Sequence, residues 1–233
     1  MGTQSNDPNT NDLAKAVLAV VCIAMFFQVL NASAVGVILP EIASGISAET
    51  AQAGWLMTGF LLFTGIAIPF YGRLADRYGA ATLFIFGIAL FSVGLLLAGI
   101  ATNYQFLLVA RIVQAIGGAA IPGLGMTLVS RAYQPESRGM ALGIIAATIG
   151  VGSAAGPLLG GLLSELMGWR SVFIATAFAA LTIPIALKAL PRSEKKVEGN
   201  LDLIGGIGLG LMVAGILLVP SEGSRSGWTS SLV

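Results

Sequence analysis

Arg111 stands in the run ARIVQAIGGAA, with Gln114 one helical turn further along. On a helix both side chains project from one face, and the pair offers donors and an acceptor to a ligand or to a partner carboxylate. An arginine at the centre of a membrane costs about 2.5–3.5 kcal/mol on insertion scales, so it is expected to face a polar cavity. Two other placements stay open: snorkelling towards a nearby surface, or pinning helices through backbone carbonyls. Gln28 and Asn31 form a second polar spot with the same one-turn spacing. Neither amide titrates, so Asn31 can orient a ligand or water but cannot carry a proton, and membrane amides also serve as packing contacts.

Two further stretches suggest mechanics. In IGVGSAAGPLLGGLL, Gly152, Gly156 and Gly160 recur every four residues and make a smooth ridge that another helix can approach closely. Pro157 removes a backbone donor beside that ridge and favours a bend, so the segment reads either as a rocking contact or as static small-residue packing. In YGRLADRYGA, three charges crowd between Gly72 and Gly79. The glycines permit a tight reversal between spans, and Asp76 can pair with Arg73 or Arg77 or face a helix amino end. That corner is either a clasp or a plain charged anchor.

The elements that position these residues follow from composition. Of 233 residues, 56% are hydrophobic and 10% charged, against about 25% charged in an ordinary soluble domain. The chain reads as an all-α membrane protein with the lipid bilayer as its solvent; a barrel would alternate in polarity instead. It has no histidine and one cysteine, Cys22, which excludes an internal disulfide, a Cys/His metal cluster and a histidine-based triad. No catalytic residue, metal ligand or phosphate-binding loop is recognisable, so an enzyme is not expected, nor is a nucleic-acid partner.

A bilayer-crossing helix needs roughly 20 mostly apolar residues, and such runs lie near 14–39, 51–71, 80–101, 105–130, 139–165, 169–190 and 203–219. Lys15, Arg73, Arg77, Arg131, Arg138, Lys188, Arg192, Lys195 and Lys196 then share one side, with only Arg170 and Arg225 opposite. The positive-inside rule sets that side, and the amino terminus, in the cytoplasm. The expected organisation is a polar cytoplasmic tail over 1–13, a six-span bundle over 14–190, a charged connector over 191–202, and a seventh span with its external end over 203–233. LNASAVGVILP in the first span and ARIVQAIGGAAIPGLG in the fourth each place a polar residue a few turns before a proline. Interrupted segments at matching places in two three-helix halves point to a transporter's central site, which makes Arg111, Gln114, Asn31 and Gln28 candidates for a substrate or proton pathway.

Together these strings resemble the major facilitator superfamily, and more closely the amino-terminal half of its fourteen-span drug:proton antiporters. GRLADRYG resembles the family's cytoplasmic gating loop at Gly72, Leu74, Asp76, Arg77 and Gly79, with Arg73 inside it. ARIVQAIGGAA is similar to the fourth-span motif at Arg111 and Gln114, and GSAAGPLLGG to the fifth-span antiporter motif at Gly156, Pro157, Gly160 and Gly161. LNASAVGVILP is similar to a first-span motif, but Asn31 and Gly36 replace its aspartate and asparagine. Ala115 replaces the fourth-span glycine, and Ala80 and Ala81 stand where the loop motif usually ends in basic residues, which weakens the expected clasp.

The resemblance implies a six-helix bundle of two three-helix inverted repeats plus a seventh span, in an inner membrane. It also implies export of lipophilic or amphipathic small molecules driven by the proton gradient, with no other cofactor, and a second six-helix half, covalent or separate. The proton carrier in this half is left unidentified by Asn31. Two alternatives stay open: a truncated or split module that needs a partner bundle and does not transport, and a symporter for small metabolites.

Overall fold

The computed structural model describes residues 8–190, and every regular element in them is helical. Helices α1 (Pro8–Gly45), α2 (Thr50–Tyr78), α3 (Ala80–Gly99), α4 (Tyr104–Ala132) and α5 (Pro135–Met167) each contain one apolar span. The sixth span is assembled from α6 (Arg170–Thr176), a 3₁₀ turn (Ala177–Leu181) and α7 (Thr182–Ala189), within a continuous apolar stretch Arg170–Ala189. Six spans are therefore present among the described residues. The expected seventh, 203–219, and the connector lie outside them.

Local chemistry sets the ends. Gln52 accepts the Glu49 backbone N–H at 3.0 Å ahead of α2, and Asn103 accepts the Phe106 N–H at 2.9 Å to open α4, each satisfying a donor that a helix start leaves without a partner. Pro135 opens α5, where its missing N–H costs nothing. Gly79 and Gly168 take positive φ, 86° and 79°, and turn the chain between α2 and α3 and between α5 and α6.

The first of these turns corrects the reading of Tyr71 to Ala80 as a loop closed by glycines at both ends. Residues Gly72 to Tyr78 continue α2, and only Gly79 breaks it. Leu, Arg and Ala are strong helix formers, and charge does not oppose a helix that has left the apolar layer: Asp76 and Arg77 are exposed. Arg77 lies over the Tyr78 ring at 5.6 Å.

The helices pack with a repeated logic. The most extensive contacts are α3 with α4, α1 with α5, and α2 with α4, and α1 also borders all three pieces of the sixth span. Exchanging spans one to three for four to six maps the first–fifth contact onto the fourth–second contact, and the fourth–third onto the first–sixth. Prolines follow the same exchange: Pro40 in α1 and Pro122 in α4, Pro69 in α2 and Pro157 in α5. Helix α4 is the hub, since 61% of its apolar window is buried, whereas α5 buries 17% and turns Met140, Leu158 and Leu166 outward.

Candidate functional site

Glycines set the distances at the hub. A Cβ on Gly94 of α3 would stand 2.6 Å from Gln114 Cα, and one on Gly117 of α4 would stand 2.7 Å from the Leu90 carbonyl carbon. Both helices are thus pressed together at the level of Gln114, as small-residue contacts allow. Gln28, on the other side, donates to the Gly118 carbonyl at 2.8 Å and ties α1 to α4.

Within this frame Arg111 is the largest fully buried side chain, 1% exposed, with Gln114 and Asn31 at 0%. The guanidinium does not snorkel; it is held inside the bundle. Arg111 Nη1 donates to Gln114 Oε1 at 2.7 Å and, more weakly, to Asn31 Oδ1 at 3.5 Å. Gln114 Nε2 donates to Asn31 Oδ1 at 2.6 Å, Asn31 Nδ2 to Thr176 Oγ1 at 2.9 Å, and the Thr176 hydroxyl to the Val172 carbonyl at 2.8 Å. The donors therefore all run one way, from the charge on α4 through α1 to α6. Each bond polarises the next, which spreads positive potential along the row. On its flat side the guanidinium carbon lies 4.2 Å from the Phe60 ring centroid on α2, a cation–π contact that strengthens when desolvated. Four spans converge on one cation.

The structure thus brings Arg111, Gln114 and Asn31 into one network and attaches Gln28 elsewhere, to a backbone carbonyl. Two members had no signal in the sequence. Thr176 is a lone hydroxyl in FIATAFAA, and Phe60 is one aromatic among many in an apolar run; only folding sets them against Asn31 and Arg111.

The glycine ridge also has a definite partner. Cβ atoms on Gly156 and Gly160 would stand 2.8 Å from the Leu30 carbonyl oxygen and 3.0 Å from Ala34 Cα, and one on Gly152 would stand 3.2 Å from the Phe26 carbonyl. The ridge therefore lies on α1, on the stretch that also carries Asn31. Gly161 is not part of it, with open space beside its Cα. Pro157 is exposed within an unbroken α5. At one end of the same helix pair, the buried Ser164 hydroxyl donates to a Glu41 carboxylate oxygen.

Comparison with known proteins places this architecture. The family model described as Major Facilitator Superfamily matches residues 21–230. The chain belongs to the Major Facilitator Superfamily. Among curated superfamily relatives, it is 35% identical over 212 residues to the multidrug export protein EmrB of Haemophilus influenzae, covering 90% of this chain and 41% of that protein. It is 31% identical over 177 residues to the riboflavin transporter RibZ of Clostridioides difficile, covering 76% of this chain and 39% of the relative. A solved bacterial homologue of the human lysosomal transporter Spinster, inward-facing and unoccupied, superposes with a TM-score of 0.64 at 23% identity, over 82% of this chain and 46% of that one. The chain spans somewhat less than half the length of the curated relatives it matches. It is a multi-pass membrane protein of a transporter family, not an enzyme.

Proposed function

We propose that this chain forms the amino-terminal bundle of a proton-coupled exporter of lipophilic or amphipathic small molecules. It lies in the cytoplasmic membrane with its amino terminus inside. The observation that carries the reading is Arg111: an arginine kept in the middle of an apolar bundle, wired to three spans and stacked on a fourth, is expensive unless water and cargo reach it. The relative named as a multidrug export protein supports the cargo class. The bias of basic residues supports the orientation. The described acidic residues, Asp12, Glu41, Glu49, Asp76, Glu136 and Glu165, all lie close to helix ends or just outside them. Asn31, Gln114 and Thr176 beside Arg111 do not titrate, and a second six-helix bundle, covalent or separate, supplies the other wall of the cavity.

The mechanism is rocking of the two bundles about the Arg111 level, with the glycine ridge keeping α1 and α5 in register while Asp76 and its neighbouring arginines meet the partner at the cytoplasmic end. Export of fluorescent dyes and antibiotics from intact cells tests it, comparing wild type with Arg111→Ala at equal membrane abundance. Export is expected to fall to the level of cells lacking the protein, and unchanged export removes the assignment. The identity with a riboflavin transporter favours a second reading, movement of a small polar metabolite. Radiolabelled riboflavin in the same cells separates the two.

A further inference from the structure

Arg111 is only half satisfied. Its Nη1 atom serves Gln114 and Asn31, whereas Nε and Nη2 are buried and have no hydrogen-bond partner among the described residues. These two nitrogens are not scattered. In a guanidinium the Nε–H and one Nη2–H point the same way and form a single straight edge with two parallel donors.

The chain itself shows that edge in use. Arg170 directs Nε and Nη2 together at the Ala101 carbonyl, at 3.0 and 2.7 Å, while its guanidinium carbon lies 4.2 Å from the Trp169 ring. Arg111 repeats the arrangement, with its face on Phe60 at the same 4.2 Å, but its edge has no acceptor among the described residues. The charge is also unbalanced. Asn31, Gln114 and Thr176 are neutral, and the described acidic residues lie near the helix ends.

We infer that the Nε–Nη2 edge of Arg111 is a binding site for the carboxylate of a small amphipathic organic acid. The inference deepens the proposed export function and rests on Arg111 facing cargo. Two parallel donors match the two oxygens of one carboxylate, and one positive charge is balanced by one negative charge. A phosphate dianion carries a second negative charge that one guanidinium leaves unbalanced, and a cation is repelled. The aromatic face beside the edge and the apolar bundle around it suit a ligand whose remainder is flat and hydrophobic. Beside Phe60, α2 meets α4 in ordinary contact, a Gly59 Cβ lying 3.6 Å from Leu108, whereas glycines lock α3 onto α4. The neutral Asn31 leaves the anion its place, because an aspartate at that position would neutralise the guanidinium from within.

The purified full chain in nanodiscs is titrated with radiolabelled 1-naphthoate and with its neutral isostere 1-naphthamide, with binding to empty nanodiscs subtracted. Hydrogen bonds to a charged group exceed neutral ones by enough that naphthoate is expected to bind at least about tenfold more tightly. Arg111→Lys keeps the charge but not the edge and is expected to reduce that preference severalfold. Asn31→Asp supplies a competing internal carboxylate and is expected to abolish it. Equal affinities in the wild type, or no binding of either probe, overturn the inference without reference to any variant. So does a preference that survives both substitutions. Loss of the preference when a second bundle is co-assembled assigns the edge to a side-chain carboxylate of that bundle and likewise overturns it. Dye export that needs Arg111 alongside equal probe affinities leaves the export reading standing and removes only this one; a naphthoate preference with Arg111-independent export does the reverse.

Discussion

The α1–α5 contact gives a sharp test because neighbouring glycines on one helix have opposite surroundings. Replacing Gly156 by alanine puts a Cβ 2.5 Å from Ser33 Cβ, 2.8 Å from the Leu30 carbonyl oxygen and 3.1 Å from the Ala34 nitrogen, none of which can rotate aside. Replacing Gly161 puts the same methyl into open space. Both changes gain about 1 kcal/mol of helix propensity. Only Gly156→Ala forces α1 and α5 apart, and overpacking of this kind costs about 1–3 kcal/mol, here towards the upper end because the obstacle is main chain. The expected result is a loss of about 1–2 kcal/mol for Gly156→Ala and a gain of up to about 1 kcal/mol for Gly161→Ala. At roughly 2–4 °C per kcal/mol, the two midpoints separate by about 2–12 °C. Thermal unfolding of the purified chain in one detergent, followed by tryptophan fluorescence, measures it. Equal midpoints, or a more stable Gly156→Ala, would refute the claim that the ridge is a backbone-to-backbone contact.

The polar residues of α1 separate in the same way. Gln28→Leu removes one tie to the Gly118 carbonyl and is expected to cost about 0.6 kcal/mol with transport retained, whereas Asn31→Leu strands groups on Gln114, Thr176 and Arg111 together; parallel melting and export assays should show transport lost only in the second. Arg170 closes the α3 end by holding the Ala101 carbonyl with two donors while stacked on Trp169. Arg170→Lys, which keeps the charge but not the fork, is expected to lower the melting midpoint nearly as far as Arg170→Ala, and full rescue by lysine would refute that account.

Composition and run length pointed to a helical membrane protein, because so many consecutive long runs with almost no charge fit a bilayer far better than the core of a soluble protein. Arginine and glutamine one turn apart already marked Arg111 and Gln114 as a pair, and glycines every four residues marked a contact ridge on α5. What those residues face was not legible. In a soluble helix the apolar stripe points to the core, but in lipid both faces are apolar, so periodicity carries little about orientation. Tertiary structure therefore decided that Arg111 is enclosed and does not reach a surface, that Asn31 joins it while Gln28 serves a carbonyl, and that Thr176 and Phe60 complete the site. It also decided that the charged corner after Tyr71 is helix up to Gly79, since a charged sequence leaving the bilayer is equally content in a helix or a turn, and only the position of the next span fixes where the chain reverses.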